Sequence, residues 1–283
     1  MTGTTALGLI ALPRLMDRTA GRRATKVGLI DGPVPADHPA LADAHLDHLV
    51  PADSAPGDAA SHHATSVAGI LVARRGSGPP AICPSVTLVL RPIFPCASAQ
   101  CAGTGTAAPG ALASAIADLV DAGARVLNLS LALTPQSPHD HALQGALDYA
   151  ARHGRIVVAA AGDHAAIGAS VITRHRCVIP VVAYDLQGRP APASNLGLTI
   201  GLRGVGAPGT GIVSLAADGG LRPFGGTSAA AALITGTIAL LWSEFPDAAP
   251  AEVMRAVTRS TPTRTSVVPP LVNAWAAYET LHA

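Results

Sequence analysis

Charged and aromatic side chains are both scarce in this sequence of 283 residues. Only 13% of the residues are charged and 3% are aromatic, and 19 basic side chains are balanced by 18 acidic ones. A chain without an excess of basic residues lacks the positive surface potential that attracts nucleic acids and anionic membranes. The composition therefore predicts a globular protein with an aliphatic core, whose partners are neither nucleic acid nor membrane.

Long uninterrupted apolar runs and metal-binding cysteine patterns are also missing. No apolar run reaches the roughly 18 residues that a membrane-spanning helix needs, and the segment TALGLIALP lacks the flanks of a signal peptide. These absences predict a cytoplasmic location. The spacing of the four cysteines matches no zinc site, so we expect no metal and no cofactor. Cys96 and Cys101 flank a short loop and could pair if oxidised.

What the sequence does contain is an alternation of apolar, strand-like runs with alanine-rich helical segments. The strand-like runs are 26–31, 86–94, 125–131, 155–162 and 178–185. The segments with apolar residues at helical spacing are 63–75, 110–123 and 141–154. Strands that are apolar on both faces and alternate with helices are typical of a parallel sheet covered on both sides. The pattern predicts an α/β fold of three layers with a mostly parallel central sheet, whose sites form at the carboxyl ends of the strands.

Three polar residues at predicted strand ends and helix starts have the chemistry of nucleophilic catalysis. Asp31 ends the first strand, His63 begins a helix, and Ser228 begins a long apolar segment after two glycines. A serine hydroxyl needs an imidazole to take its proton and a carboxylate to orient that imidazole. His62 is a second candidate for the base, but the sequence ATSVAG that follows favours His63.

The same residues lie in segments that resemble the motifs of the subtilisin-like serine peptidases. LIDGPVPADHPAL resembles the aspartate segment of that family, HATSVAGIL its histidine segment and GGTSAAAALITG its serine segment. The order along the chain is also that of the family. VLNLSLAL, VGAPGTGIVSL and PPLVNAWAA resemble its substrate-binding strand, its A-P-G turn and its closing stretch. Within the family, the sequence is most similar to the proteases that mature cyanobactin-type ribosomal peptides.

The resemblance implies a subtilisin-like peptidase domain over residues 26–283, preceded by an N-terminal extension of residues 1–25. It implies a serine endopeptidase in which Asp31 orients His63, His63 acts as general base and then acid, and Ser228 attacks the scissile carbonyl. An intracellular protease that processes a precursor peptide would fit this resemblance.

The resemblance also implies where a peptide or protein substrate would bind. Ser130, Leu131 and Ala132 would line the cleft and pair with the substrate as an added strand. Ala132 stands where many relatives have glycine, so we expect a narrowed specificity pocket that prefers small or medium side chains. The oligomeric state is left open.

Asp163 is the main departure from the family pattern. AAAGD resembles the A-A-G-N segment, whose asparagine donates a hydrogen bond to the oxyanion. An ionised carboxylate only accepts hydrogen bonds and would repel the developing charge, so we expect a reduced rate, whereas a protonated Asp163 could still donate. Alternatively, Asp163 turns away, toward His164 or Arg174, and leaves the oxyanion to backbone N–H groups.

Smaller departures keep a second function open. Ala64 replaces the glycine after the histidine, and Ala232 and Leu233 stand where the serine motif has Pro-His. These changes and Asp163 favour a weakened or inactive subtilisin-like protein that binds a peptide or a partner subunit without cutting it. The three candidate catalytic residues favour an active endopeptidase.

Overall fold

Parallel strands and amphipathic helices alternate along most of the chain. The computed structural model describes residues 5–50, 58–93, 106–130, 132–133, 140–259 and 266–283, without the side chains of 106–107 and 132–133. The strands are β1 (Lys26–Asp31), β2 (His45–His48), β3 (Thr87–Pro92), β4 (Thr106–Ala107), β5 (Val126–Leu129), β6 (Ala132–Leu133), β7 (Ile156–Ala160), β8 (Val178–Tyr184), β9 (Val205–Pro208), β10 (Ile212–Leu215) and β11 (Leu221–Phe224). The α-helices are α1 (Ala6–Leu9), α2 (Leu12–Arg18), α3 (Ala59–Val72), α4 (Pro109–Asp121), α5 (His141–Arg152), α6 (Val171–Arg174), α7 (Leu198–Arg203), α8 (Gly226–Glu244), α9 (Pro250–Thr258) and α10 (Ala274–His282).

Seven of these strands form one parallel sheet in the order β2-β3-β1-β5-β7-β8-β9. The predicted α/β fold with a parallel central sheet is confirmed. Two of the seven strands were missed in the sequence. β2 has the polar sequence HLDH and lies at one edge, where a strand has only one neighbour. β9 lies at the other edge and falls within VGAPGTGIVSL, whose glycines and proline we assigned to a turn.

Apolar layers cover both faces of the sheet. One contains the buried sides of α3, α8, α9 and α10. The other contains α4 and α5, packed on the opposite face. The residues assigned to an N-terminal extension belong to the first layer: Ile10, Leu12 and Leu15 are fully buried, and the carbonyl of Ile10 accepts a hydrogen bond from the N–H of Ala274 at 2.9 Å. The boundary between extension and domain stays a prediction.

Helix α8 is apolar around its whole circumference because it lies inside the protein. By length and composition it could cross a membrane, but 89% of its most apolar 18-residue window is buried within the fold. Its sequence contains Gly, Thr and Ser between the aliphatic residues, so no uninterrupted apolar run marks it. A helix that is hydrophobic all round is typical of a protein core.

The carboxyl edge of the sheet brings together the ends of three adjacent strands. β1 ends at Asp31, β5 is followed by Ser130, and β7 is followed closely by Asp163. The hairpin of β10 and β11 is antiparallel and packs against α3. Since α8 begins directly after β11, its first turn also belongs to this region.

Candidate active site

Asp31 and His63 form the best-defined contact at this edge. His63 Nδ1 lies 2.9 Å from both carboxylate oxygens of Asp31, whose side chain is only 2% exposed. Asp31 Oδ1 also accepts a hydrogen bond from the N–H of Gly32 at 2.8 Å. Because a carboxylate only accepts, Nδ1 of His63 must carry the proton, which leaves Nε2 free of a proton in the neutral ring. Such an imidazole is oriented to act as a base.

The pKa of His63 is set by opposing influences. Burial, the largest of them, lowers it, but the negative charge of Asp31 and the hydrogen bond to Asp31 raise it, and the pKa ends above its ordinary value. Arg222 lowers the pKa of His63 and Asp163 raises it, both through their charge. The His63 side chain keeps 31% of its surface exposed. The ring is therefore both tied to a buried carboxylate and open to a reactant.

His62, the alternative candidate for the base, has a structural partner instead. Its Nδ1 accepts a hydrogen bond from the N–H of Ala217 at 3.0 Å. Two further bonds join α3 to the β10–β11 hairpin, from Ser66 Oγ to the carbonyl of Leu215 and from Ser214 Oγ to the carbonyl of Ser66. These bonds hold Phe224 against His63, with ring centroids 5.2 Å apart in an edge-on arrangement.

Ser228 is the third residue of α8, and it is joined to the end of β5. Its Oγ donates a hydrogen bond to the carbonyl of Ser130 at 3.3 Å, and Ser130 Oγ donates to the carbonyl of Ser228 at 3.2 Å. Among the described residues, no hydrogen bond links Ser228 Oγ to His63. The hydroxyl must therefore leave the Ser130 carbonyl before His63 can take its proton.

A buried polar network supports this junction, and the sequence analysis missed it. Asn128 is fully buried in β5, and its Nδ2 donates to Ser130 Oγ at 2.8 Å. Thr235 lies two helical turns after Ser228 in α8, and its Oγ1 donates to Asn128 Oδ1 at 2.8 Å. Buried polar groups of this kind fix one relative position of two elements only when all are satisfied. The asparagine within the apolar run VLNLSL was the signal that could have revealed it.

We expect Thr235→Val to lower the free energy of unfolding by about 1–3 kcal/mol, because it removes the donor to the fully buried Asn128 amide oxygen at nearly constant volume. Denaturant unfolding measures this change. Thr237→Val is the matched control: this threonine is also fully buried in α8, but its hydroxyl donates only to the Leu233 carbonyl of its own helix. Equal losses in both variants would contradict a special role of the network.

Asp163 turns toward the start of α8, and neither His164 nor Arg174 is its partner. Both carboxylate oxygens lie 3.1 Å from the backbone N of Thr227, and Oδ2 accepts from Thr227 Oγ1 at 2.9 Å. Thr227 is the second residue of α8, and Gly225 at the N-cap has no side chain to bond the free N–H groups. Asp163 therefore serves as the N-terminal cap of this helix from a distant loop, where its charge also matches the helix dipole.

Two glycines make this approach possible. Gly162 has φ of +102°, and a Cβ there would collide with Nδ2 of Asn195. Gly226 has φ of +72°, and a Cβ there would lie 2.8 Å from Oδ2 of Asp163. Asn195 holds the loop from the other side, since its Oδ1 accepts from the N–H groups of His164 and Ala166. Gly162, before Asp163, and Gly226, at the start of α8, thus both permit the same close contact between the Asp163 carboxylate and the helix.

The predicted substrate-binding residues are only partly described. Ser130 is 3% exposed and its side chain joins the strand to α8. Leu131 lies outside the described residues, as does the side chain of Ala132, whose backbone in β6 pairs with Thr106 of β4. Cys96 and Cys101 also lie outside them. Their predicted roles therefore stay predictions.

Metal-binding side chains are not clustered in the part of the chain that the structure describes. No group of three or more His, Cys, Asp or Glu residues with a suitable arrangement occurs there. The two described cysteines, Cys83 and Cys177, are both buried, and burial raises the pKa of each thiol to about 12. The chemistry available at the carboxyl edge is that of Asp31, His63 and Ser228.

Comparison with known proteins identifies the family. The model of the subtilase family, peptidase S8, matches residues 22–274. The chain belongs to the subtilase family. It is 32% identical over 232 residues to the thermophilic serine proteinase of Bacillus sp. strain AK1, a match that covers 81% of this chain and 54% of that proteinase. The chain thus spans about half the length of that relative and of subtilisin E of Bacillus subtilis strain 168.

Solved structures of subtilases that act in peptide maturation are similar over nearly the whole chain. The prenylagaramide maturation protease PagA has a TM-score of 0.83 and 26% identity, covering 96% of this chain and 98% of PagA. The self-cleaved protease domain of PatA has a TM-score of 0.81 and 30% identity, covering 93% of this chain and 98% of that domain. The resemblance to the subtilisin-like family, including its peptide-maturing members, is confirmed.

Proposed function

We propose that this subtilase is a serine endopeptidase in which Asp31, His63 and Ser228 form the catalytic triad. The contact of His63 Nδ1 with both oxygens of Asp31 at 2.9 Å carries the proposal. Phe224, which packs on His63, precedes Ser228 by four residues, and this short separation supports a position of Ser228 close to the base. In this reaction Ser228 attacks the scissile carbonyl, His63 transfers its proton to the leaving amine, and Asp31 stabilises the imidazolium between the two steps.

The proposed substrate is a precursor peptide that the enzyme trims in the cell. Support comes from the similarity to PagA and PatA, since the first is named a maturation protease and the second is described as self-cleaved. A role in processing, a peptide substrate and a cytoplasmic location stay predictions for this chain.

A second candidate function is peptide binding without cleavage. Two observations favour it: Asp163 is a carboxylate where the family motif that AAAGD resembles has an amide donor, and Ser228 Oγ donates to Ser130 rather than to His63. Catalytic hydrogen bonds are often long or misaligned in proteins without substrate, so the second observation does not decide the matter. Reactivity of the serine separates the two functions.

A fluorophosphonate probe tests the proposed function directly. We expect the probe to label the folded protein on Ser228, identified by mass spectrometry of the labelled peptide, because only an activated serine attacks it. His63→Ala should remove the labelling while the protein stays folded. Labelling of a different serine, or of none at any pH, would exclude the endopeptidase.

The pH profile provides an independent prediction. His63 must be neutral to accept the proton of Ser228, and its pKa is raised, so activity should be lost on acidification at a higher pH than for an ordinary imidazole. The groups that act on it are Asp31 from β1, Arg222 from β11 and Asp163 from the loop after β7, while His62 is bonded to Ala217. Measuring kcat/KM against pH with an uncharged peptide gives the midpoint. A midpoint below the ordinary imidazole value would contradict this balance of charges.

A further inference from the structure

The strand β11 places Arg222 on the same face as the residue that contacts His63. Side chains two residues apart on a strand point to the same side, roughly 7 Å from one another, so Arg222 projects on the same side as Phe224. Their partners across the hairpin are Ser214 and Ile212, both buried, and Ser214 donates to the carbonyl of Ser66 in α3. This side of the hairpin therefore faces α3 and His63.

Arg222 has no partner on this face in the part of the chain that the structure describes. It is exposed, and within the described ranges it makes no ion pair and no side-chain hydrogen bond. The neighbouring carboxylates are already engaged: Asp31 with His63, Asp163 with Thr227, and Asp218 of the hairpin turn with the N–H of Gly220. A cation next to the base, with no counter-charge bound to it among the described residues, is available to a reactant.

We propose that Arg222 is a specificity-determining residue that binds a carboxylate of the substrate, so that the enzyme prefers peptides with Asp or Glu within two residues of the scissile bond. This inference rests on the proposed function for the site and names the class of peptide it takes. Arginine suits the role because its planar guanidinium binds a carboxylate through two parallel hydrogen bonds.

Catalysis supplies a second reason for this preference. The charge of Arg222 lowers the pKa of His63 and so opposes the imidazolium that forms during acylation. A substrate carboxylate bound to Arg222 neutralises the positive charge of Arg222 during acylation, when the imidazolium of His63 forms. Acidic peptides should therefore gain in kcat as well as in binding, and should raise the midpoint of the acid limb compared with neutral peptides.

Selection from a peptide library tests the proposal without requiring cleavage. Immobilised Ser228→Ala protein is exposed to peptides in which Asp and Glu compete with Asn and Gln. We expect about fivefold enrichment of the acidic peptides, the upper end of what an exposed ion pair contributes, and a weaker preference at about 1 M salt. Adding Arg222→Gln should remove the enrichment, and Arg222→Glu should shift it to peptides that contain Lys.

Arg176→Gln is the matched control, since Arg176 is also exposed but precedes β8 at the opposite, amino-terminal edge of the sheet. It should leave the enrichment unchanged. Equal retention of acidic and neutral peptides, or enrichment that survives Arg222→Gln, would overturn the proposal. In wild-type protein, kcat/KM for matched Glu and Gln peptides tests it in turnover. Acidic selection without fluorophosphonate labelling would refute the protease but keep Arg222 as a peptide-binding residue.

Discussion

Ser228→Ala is expected to lower kcat by roughly 10⁶-fold while the protein stays folded, because removal of the nucleophile from a serine protease triad has an effect of that size. The substitution removes one long hydrogen bond, from Ser228 Oγ to the carbonyl of Ser130 at 3.3 Å. The carbonyl of residue 228 still accepts from Ser130 Oγ, so the junction of β5 with α8 persists. Cleavage of a fluorogenic peptide and thermal unfolding, measured on the same preparation, check both expectations.

Ser77→Ala controls for the loss of a serine hydroxyl as such. Ser77 Oγ also donates to a backbone carbonyl, that of Arg74 at 2.7 Å, but it lies beyond the far end of α3 from His63. This variant should keep full activity. Residual cleavage by Ser228→Ala within a few-fold of the wild type would show that another group is the nucleophile.

Asp163→Asn should raise kcat by up to about 10²-fold, since it restores the amide donor whose loss costs about 10²–10³ in subtilisin. Asparagine can still accept from the N–H of Thr227 through Oδ1, as Asp163 does now, and its Nδ2 adds the donor. The same change removes a negative charge from the start of α8, which should lower the free energy of unfolding by about 0.3–1 kcal/mol. Steady-state kinetics at pH 8 and denaturant unfolding measure the two effects.

Asp163→Ala separates the effect of adding a hydrogen-bond donor from the effect of removing the negative charge. Alanine neither caps the helix nor donates, so this variant should lose stability without the gain in kcat. A gain in the alanine variant equal to that in the asparagine variant would assign the effect to removal of the charge alone. Both variants should lower the pKa of His63, because the charge of Asp163 raises it in the native protein. The acid limb of activity should then move to lower pH.

The two roles of Asp163 explain how a carboxylate can stand at this position. As a cap, it satisfies N–H and hydroxyl groups of Thr227 that Gly225 leaves unbonded, and it thereby fixes the first turn of the helix that carries Ser228. At the predicted oxyanion position, a carboxylate would oppose the negative charge that develops in the transition state. The Asn and Ala variants measure the capping role and this predicted penalty separately.

Local patterns predicted element types better than element ends. The first strand was predicted at 26–31 and is found there, since its apolar run is bounded by Lys26 and Asp31. Helix α3 was expected from residue 63 but begins at Ala59, because the side chain of Asp58 accepts from the N–H of Ser61 at 2.6 Å and caps the helix one turn earlier. The run 125–131 was expected as a strand, but β5 ends at Leu129, where Ser130 turns to bond α8.

The sequence by itself determined the parallel α/β fold, through its apolar periodicity, and the subtilase family, through motifs whose residues lie within a few positions of one another. The resemblance to that family implied the pairing of Asp31 with His63, which lie 32 positions apart. Only the tertiary structure decided that Asp163 caps α8, that Ser228 Oγ donates to Ser130, and that Arg222 faces His63 with no counter-charge among the described residues. Each of these depends on how elements distant in sequence pack at the carboxyl edge of the sheet, and a periodic pattern carries no information about which side chain across that edge lies within hydrogen-bonding distance.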